Sequence, residues 1–210
     1  MRTTVLTHAA VDDTMARLRD AATPSGEFRR LVYDVTTALT LEATRDLSVS
    51  ATTVVTPMGT ARVSRIAEPV PLAVPILRAG LGMLDAFLRV VPAAEAGFLG
   101  LKRDEVTREP RMYADRMPAR LDGRHVFVLD PMLATGGSLS FAVTMLLERG
   151  AARVTCLCVV SAPEGIAALA DAVADRPVEL WVAATDAGLN ASGFITPGLG
   201  DAGDRLFGIA

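Results

Sequence analysis

The stretch VLDPMLATGGSLS, residues 128–140, joins the end of a hydrophobic strand to a Gly-rich turn and the start of a helix. Glycines in the turn TGGS (135–138) let backbone N–H groups approach a ligand, hydroxyls add donors, and a helix N-terminus is positive. The pattern favours a phosphate-binding loop, with Asp130 placed to accept hydrogen bonds from sugar hydroxyls. It matches neither the Walker phosphate loop nor the GxGxxG dinucleotide motif. The alternative is an ordinary turn before a capped helix.

Apolar runs and segments of helical spacing alternate on both sides of this loop. In the helix predicted at 25–46, one face would carry Phe28, Leu31, Val32, Val35 and Leu39. Strands alternating with helices predict an α/β fold with a mostly parallel central sheet flanked by helices. The predicted strands are 49–57, 71–77, 94–101, 125–130, 153–160 and 178–184, and the other predicted helices are 9–20, about 81–91, 138–149 and 164–174.

Two segments interrupt this alternation. Residues 102–118 are charged and poor in apolar side chains, which is typical of a solvated excursion or of a projecting arm that closes over a site. Residues 186–210 are rich in Gly, Asp and Asn without a helical or strand period, so we expect an irregular segment with a function. No repeat or Ser/Pro-rich linker is present, which predicts a single domain over 1–210 with N-terminal helices in 1–47.

Composition and charge argue against several classes of function. The 210 residues are 50% hydrophobic and carry a formal net charge of −3, without a long basic run for nucleic acid or an anionic membrane. No apolar run has the length of a signal-peptide core or a membrane span. Cys156 and Cys158 lie too close along one strand for an ordinary disulfide, so we expect buried reduced thiols and a cytoplasmic protein.

The topology places three of the unusual segments at one edge of the sheet. In open parallel sheets, ligands bind beyond the carboxyl ends of the strands. The turn after 71–77, the arm after 94–101 and the turn after 125–130 all follow such ends. We therefore expect the functional site at this edge.

The loop DPMLATGGS (130–138) resembles the 5-phospho-α-D-ribose 1-diphosphate (PRPP) motif of type I phosphoribosyltransferases, which usually carry two adjacent acids before the turn. Pro131 replaces the second acid, as it does in the uracil phosphoribosyltransferases. Three more segments are similar to that family, in the same order: PILRAGLGM (75–83), APEGI (162–166) and GFITPGLGDAGDRLFG (193–208). The resemblance implies the type I fold and the conversion of uracil and PRPP to UMP and diphosphate in UMP salvage.

The resemblance also implies roles for particular residues. Arg78 would bind the diphosphate, Arg103 at the root of the arm would be a second arginine on PRPP, and both would form the catalytic set with Asp201. The implied PRPP-binding residues are Arg78, Arg103, Asp130, Pro131, Met132, Leu133, Ala134, Thr135, Gly136, Gly137, Ser138 and Asp201. The implied uracil-binding residues are Ile195, Gly200, Asp201 and Ala202.

Further partners follow from the same resemblance. Mg²⁺ would be carried by PRPP without a direct protein ligand and would approach Asp201 through water. GTP would be an allosteric activator, and the chain would form a homodimer or a larger homo-oligomer. One departure concerns the arm, where Lys102 stands in place of the aromatic residue common in the family.

Three alternatives remain open at this point. A purine or orotate enzyme would normally keep both acids before the loop and lack the GLGDAGD tail (198–204). A nucleotide-sensing regulatory protein of the same fold that binds RNA should show a basic face, whereas this chain is acidic. An inactive homologue is the third, and the retained Arg78, Asp130 and Asp201 argue against it.

Overall fold

A computed structural model describes residues 1–103 and 110–208, and for Arg103 the backbone alone. The strands are β1 (Arg2–Val5), β2 (Val49–Thr56), β3 (Gly59–Ile66), β4 (Leu72–Leu77), β5 (Glu95–Ala96), β6 (Phe98–Arg103), β7 (Pro110–Arg116), β8 (His125–Leu129), β9 (Met132–Leu133), β10 (Arg153–Ser161), β11 (Val178–Thr185), β12 (Gly188–Leu189) and β13 (Ile195–Thr196). The helices are α1 (Ala9–Arg19), α2 (Ser25–Ala43), α3 (Leu81–Val90), α4 (Gly137–Glu148), α5 (Pro163–Val173) and α6 (Ala202–Phe207).

The central sheet runs in the order β1-β11-β10-β8-β4-β6-β7, with β5 beside β4 and β9 beside β10. Among the described strands of this sheet, every pair is parallel except β6 with β7. Connections between parallel neighbours pass through helices, as the geometry of parallel strands requires. The predicted α/β fold with a mostly parallel central sheet is confirmed.

The core lies on both faces of this sheet. In β8, Val126 and Val128 pack into the cluster under α4 and α5, whereas Phe127 and Leu129 pack into the cluster under α1, α2, α3 and α6. Alternate side chains of a strand point to opposite faces, so a strand buried on both sides is a continuous apolar run. This is why HVFVL and its neighbours lack the alternating polar residues of a half-exposed strand.

Helix α2 shows how the pattern produces this packing. The predicted face Phe28, Leu31, Val32, Val35 and Leu39 is confirmed, since all five side chains are buried. Each such side chain contributes about 1.5–3 kcal/mol on full burial. Within the described residues, none of the helices has both the length and the hydropathy needed to span a membrane.

Four elements differ from the sequence-based expectation. Strand β1 precedes the N-terminal helices and pairs with β11 at the sheet edge. Strands β2 and β3 form a separate antiparallel hairpin, so the strand predicted at 49–57 does not belong to the central sheet. The predicted arm contains β7, and its residues 104–109 lie outside the described residues. The tail expected to be irregular contains β12, β13 and α6.

Candidate functional site

The carboxyl ends of β4, β8 and β10 meet at one edge, where the loops of the three internal motifs come together. Gly165 of the APEGI segment shows how closely they pack. A Cβ at Gly165 would lie 2.4 Å from the Ala134 carbonyl oxygen and 2.7 Å from that of Leu133. Real Cβ atoms do not approach backbone so closely, so glycine at this position lets the APEGI segment pack directly against the backbone of the loop after β8. Because β4 pairs in parallel with both β6 and β8, the turns after 71–77 and 125–130 and the arm after 94–101 leave the sheet at this same edge, as the sequence predicted.

The loop after β8 is held to β10 by its backbone. The Pro131 carbonyl accepts hydrogen bonds from the amides of Val159 and Val160, and the Leu133 carbonyl accepts one from Ala162. These bonds fix 131–134 as a short continuation of the sheet, in which β9 pairs with β10. The Pro131 and Leu133 carbonyl groups are therefore engaged by the protein itself.

The turn at 135–138 opens into a small cavity at the start of α4. Gly136 has φ of 83°, and a Cβ there would lie 2.9 Å from the Gly165 carbonyl oxygen, whereas a Cβ at Gly137 would meet nothing within 4 Å. Gly136 is thus required by conformation and packing, and Gly137 leaves the helix N-terminus open. The cavity measures about 60 Å³ and is lined by Asp130 and residues 132–139. A helix N-terminus with exposed amides is suited to an anion.

Asp130 lies at the floor of this cavity. Its Oδ1 accepts a hydrogen bond from the Met132 amide at 3.3 Å. Burial raises the pKa of Asp130 to about 7, because the Met132 hydrogen bond only partly offsets the lost hydration of the carboxylate. The carboxyl group is therefore near its titration midpoint at neutral pH before any ligand binds.

Arg78 stands on the tight turn after β4. A Cβ at Gly80 would lie 2.2 Å from the Leu129 carbonyl oxygen, so glycine lets this turn pack directly on the end of β8. The Arg78 side chain is 60% exposed, and its Nη2 lies 3.7 Å from Asp204 Oδ1 in α6. The peptide between Leu77 and Arg78 is cis. The turn thus brings a largely exposed guanidinium beside the GLGDAGD segment.

The GLGDAGD segment forms the other side of the site. Gly198 and Gly200 have φ of 65° and 80°, values that favour glycine. Asp201 is exposed and caps α6, since its Oδ1 accepts a hydrogen bond from the Asp204 amide at 3.0 Å. Ile195 and Ala202 are buried on either side of this turn. The four residues predicted to contact uracil therefore lie in one short, tightly folded stretch.

The tail also approaches the loop after β8, near the turn at 135–138. A Cβ at Gly193 would lie 3.7 Å from Thr135 Cγ2. Glu164 of the APEGI segment accepts a hydrogen bond from the Leu189 amide at 3.1 Å and so fixes the start of the tail. Sequence reasoning assigned the APEGI segment no role, and its contacts with both sides supply one.

The arm contributes a surface that the sequence did not predict. Tyr113 of β7 lines an open cleft of about 350 Å³ beside Arg78, together with Leu77, Leu81 and Phe207. Gly100 of β6 makes room for the Tyr113 ring, which would lie 2.6 Å from a Cβ at that position. Arg103 ends β6 at the same sheet edge, and its side chain lies outside the described residues.

A second cavity, of about 280 Å³, lies at the amino ends of the strands. It is lined by Asp46, Glu68, His125 and Arg153, among other residues. The His125 ring stacks on Phe127 with centroids 4.2 Å apart, and its Nε2 lies 2.8 Å from Thr155 Oγ1. Burial, aided by the Arg153 charge, lowers the pKa of His125 to about 4. This cavity is on the opposite edge from the loops described above.

Comparison with known proteins shows the family of the chain. The family model for uracil phosphoribosyltransferase matches residues 5–209. A uracil phosphoribosyltransferase of Kineococcus radiotolerans is 52% identical over 210 residues, which cover both chains completely. The structure of the AQ2163 protein from Aquifex aeolicus superposes with a TM-score of 0.92 at 37% identity, over 99% of each chain.

A more distant structural neighbour shows the fold alone. A hypoxanthine-guanine phosphoribosyltransferase from Bacillus anthracis superposes with a TM-score of 0.51 at 14% identity, over 77% of this chain and 80% of that one.

Proposed function

The chain belongs to the uracil phosphoribosyltransferase family, and we propose that its two substrates bind side by side at the carboxyl edge of the sheet. It is a pentosyltransferase that converts uracil and PRPP to UMP and diphosphate, a reaction of pyrimidine salvage. The main support for this location is the contact between the turn after β4 and the tail. Arg78 Nη2 lies 3.7 Å from Asp204 Oδ1, three residues after Asp201. The regulatory alternative is not favoured, since the relatives that align over the full length are enzymes by name.

We propose that PRPP binds along the line from the turn at 135–138 to Arg78. The 5′-phosphate would occupy the small cavity at the N-terminus of α4, with Thr135, Gly136, Gly137 and Ser138 around it. Asp130 at the floor of the cavity would accept hydrogen bonds from the ribose hydroxyls. Pro131, Met132, Leu133 and Ala134 would act through the backbone that anchors the loop to β10.

The diphosphate would then lie beside Arg78 and, by family resemblance, Arg103. A guanidinium is always charged and can bind two phosphate oxygens at once. Because Arg78 is largely exposed and its contact with Asp204 is 3.7 Å long, little protein contact must be given up when phosphate replaces the carboxylate.

Uracil would be read by the turn that contains Ile195, Gly200, Asp201 and Ala202. Its edge alternates acceptors and donors, which backbone amides and carbonyls in a glycine-rich turn can match. Such a site would reject cytosine, because its exocyclic amine presents a donor where uracil has an acceptor. Buried Ile195 would support the plane of the base.

The proposed chemistry is a displacement at C1 of PRPP. N1 of uracil bonds to C1, the bond from C1 to the diphosphate oxygen breaks, and the N1 proton is released. The transition state resembles a ribosyl oxocarbenium ion with negative charge growing on the leaving group. Arg78 and Arg103 would stabilise that charge, while the loop at 130–138 and the tail hold the two reactants in line.

Mg²⁺ is the cofactor we propose; PRPP would hold it, and it would supply positive charge to offset the charge growing on the leaving group. The donor set suits this arrangement, because Asp201 is an exposed carboxylate and Mg²⁺ prefers hard oxygen ligands and keeps several waters. Among the described residues no group of three or more His, Cys, Asp or Glu side chains could hold a metal ion. Asp201 would therefore reach the ion through water.

The remaining parts of the proposal concern regulation, assembly and location. GTP activation and homodimers or larger assemblies rest on the family resemblance. Exposed Val55 and Met58 on the β2–β3 hairpin support assembly, because an isolated two-stranded hairpin is marginally stable in water.

A cytoplasmic location is supported by two buried free thiols, Cys156 and Cys158. We also propose that residues 1–210 form one domain, since both hydrophobic clusters pack on one sheet.

The test of this function is UMP formation from radiolabelled uracil, PRPP and Mg²⁺, run beside cytosine, orotate and hypoxanthine, with and without GTP. Uracil should be the one base converted, and GTP should raise the rate. Conversion of another base in preference to uracil would contradict the assignment of the tail. Folded protein that converts none of the four would contradict the activity itself.

A further inference from the structure

An ion pair between α1 and the end of β11 holds the segment proposed to bind uracil. Asp186 directly follows β11, and only 5% of its side chain is exposed. Arg19, the last residue of α1, donates from Nη2 to Asp186 Oδ1 at 2.5 Å and from Nη1 to Asp186 Oδ2 at 2.7 Å. The two residues are 167 positions apart in the chain.

Both backbone polar groups of Gly198 bind to this pair. The Gly198 amide donates to Asp186 Oδ2 at 2.7 Å, and the Gly198 carbonyl accepts from Arg19 Nη1 at 2.7 Å. A Cβ at Gly198 would lie 2.2 Å from the Ile195 carbonyl oxygen, so the turn is compact as well as tied. One carboxylate and one guanidinium thus fix the orientation of a glycine located between Ile195 and Gly200.

Charge strengthens this arrangement. Burial alone would raise the pKa of Asp186, but hydrogen bonds from Arg19 and the Gly198 amide outweigh burial and leave the pKa below its ordinary value. The acceptor is therefore an anion, and hydrogen bonds to ionised groups are about twice as strong as neutral ones. The Gly198 amide is held by such a bond.

A separate anchor holds the rest of the tail. Arg205 of α6 donates from Nη1 to the Leu18 and Leu199 carbonyls, both at 2.8 Å, and its guanidinium lies 4.2 Å above the Phe28 ring. Loss of the Arg19–Asp186 pair would leave α6 docked on α1 and α2. The expected result is a local displacement of the Gly198 turn and not a detached tail.

We propose that Arg19 and Asp186 are positioning residues for uracil, which set the Gly198 turn so that the backbone at Ile195 and Gly200–Ala202 matches the edge of the base. The inference rests on the proposed location of the uracil site. Backbone groups that read a base must stay within about 0.5 Å of the productive geometry, which requires a supporting shell of this kind. Neither residue touches PRPP or uracil in this account.

The experiment compares Asp186→Asn, Arg19→Gln and Arg19→Lys with the wild-type enzyme. Glu179→Gln is the control, because Glu179 forms a partly shielded ion pair with Arg153 at the opposite end of β11 from Asp186. For each protein, KM for uracil and for PRPP is measured separately, together with the thermal unfolding midpoint. Wild-type turnover of uracil tests the proposed function independently of the variants.

Asp186→Asn and Arg19→Gln should raise KM for uracil about tenfold, the effect of losing one charged hydrogen bond, and change KM for PRPP less than about twofold. Arg19→Lys keeps the charge and should give an intermediate KM for uracil. Glu179→Gln should leave both KM values at the wild-type level. The inference is wrong if KM for uracil stays unchanged in a folded Arg19 or Asp186 variant, or if both KM values rise together in proportion to lost stability.

Discussion

At the scale of single residues, the account depends on where the charged side chains lie. Asp130 could be chosen from the sequence because it ends a predicted strand just before the Gly-rich turn, whereas Arg78 and Asp201 are identified through the family resemblance of their motifs. Arg19 and Asp186 could not be chosen in either way, since their significance comes from a contact across 167 positions. Local chemistry is readable in one sequence, and long-range pairing is not.

Replacing Arg78 tests the proposed diphosphate contact. Arg78→Ala should raise KM for PRPP by roughly 10- to 100-fold, as expected for losing hydrogen bonds to a charged ligand, and should raise KM for uracil much less. Stability should hardly change, because the Arg78–Asp204 pair is exposed and such pairs contribute little. Steady-state kinetics with each substrate varied in turn, with Arg78→Lys as the control that keeps the charge, provide the measurement. An unaltered dependence on PRPP would remove Arg78 from the diphosphate site.

The raised pKa of Asp130 predicts a pH dependence of PRPP binding. Ionised Asp130 accepts hydrogen bonds from ribose hydroxyls, and with a pKa of about 7 the ionised fraction falls steeply between pH 8 and pH 6. KM for PRPP should therefore rise by up to about tenfold over that interval. Asp130→Asn should have a higher KM for PRPP at pH 8 and a weaker dependence of that KM on pH. The dependence that remains should come from the titration of PRPP itself. Parallel slopes in the two proteins would show that Asp130 does not titrate in this role.

At the scale of elements, the sequence predicted the buried strands and the long helices, because their side chains repeat with the period of the structure that buries them. It missed β3 and β7, in which every residue is exposed or half-buried, as edge strands tolerate. It also missed α6, which is only six residues long and too short to show a period. The missed elements are those that contribute few buried side chains to the core.

The β2–β3 hairpin leads to a prediction about assembly. Val55 and Met58 are 87% and 96% exposed near its tip, an unfavourable arrangement unless another surface covers them. Replacing both with Asp should shift the proposed homo-oligomer toward the monomer without unfolding it, because within the described chain β2 and β3 pair only with each other. Light scattering after size-exclusion chromatography measures the mass. Val55→Thr keeps the β-branched shape and serves as the control, and an unchanged mass in the double Asp variant would exclude the hairpin from the interface.

At the scale of the whole molecule, the proposed active site and the ionisable groups around His125 lie at opposite edges of one sheet. Loops at the carboxyl ends carry glycines, Asp130 and Arg78, whereas the amino ends carry His125 and the Arg153 ion pairs with Asp46 and Glu179. The alternation of strands and helices in the sequence already predicted the functional site at the carboxyl edge. In a parallel sheet all carboxyl ends lie at one edge and all amino ends at the other, so the two sets of side chains are kept apart.

His125 should make the protein less stable as the pH falls. Its pKa of about 4 in the folded state lies below the ordinary value of 6.5, so its contribution is complete above pH 6.5 and is lost as the pH falls toward 4. At pH 5 the loss is about 1–2 kcal/mol. Asp130 acts in the opposite sense, since its raised pKa lowers stability as the pH rises from about 4 to 7.

Because these two effects oppose each other, the quantity to measure is the difference between wild type and His125→Gln. Denaturant unfolding at pH 7 and at pH 5 gives it directly. The variant should lose less stability than the wild type between the two pH values. An equal or larger loss in the variant would contradict a neutral, buried His125.

If both substrates bind at the carboxyl edge, a crystal structure with the product UMP should show it. We expect the phosphate in the turn at 135–138, ribose hydroxyls on Asp130, and the base against Ile195 and Gly200–Ala202. UMP bound instead at the amino-edge cavity beside Asp46, His125 and Arg153, or bound with its base away from the Gly198 turn, would contradict it.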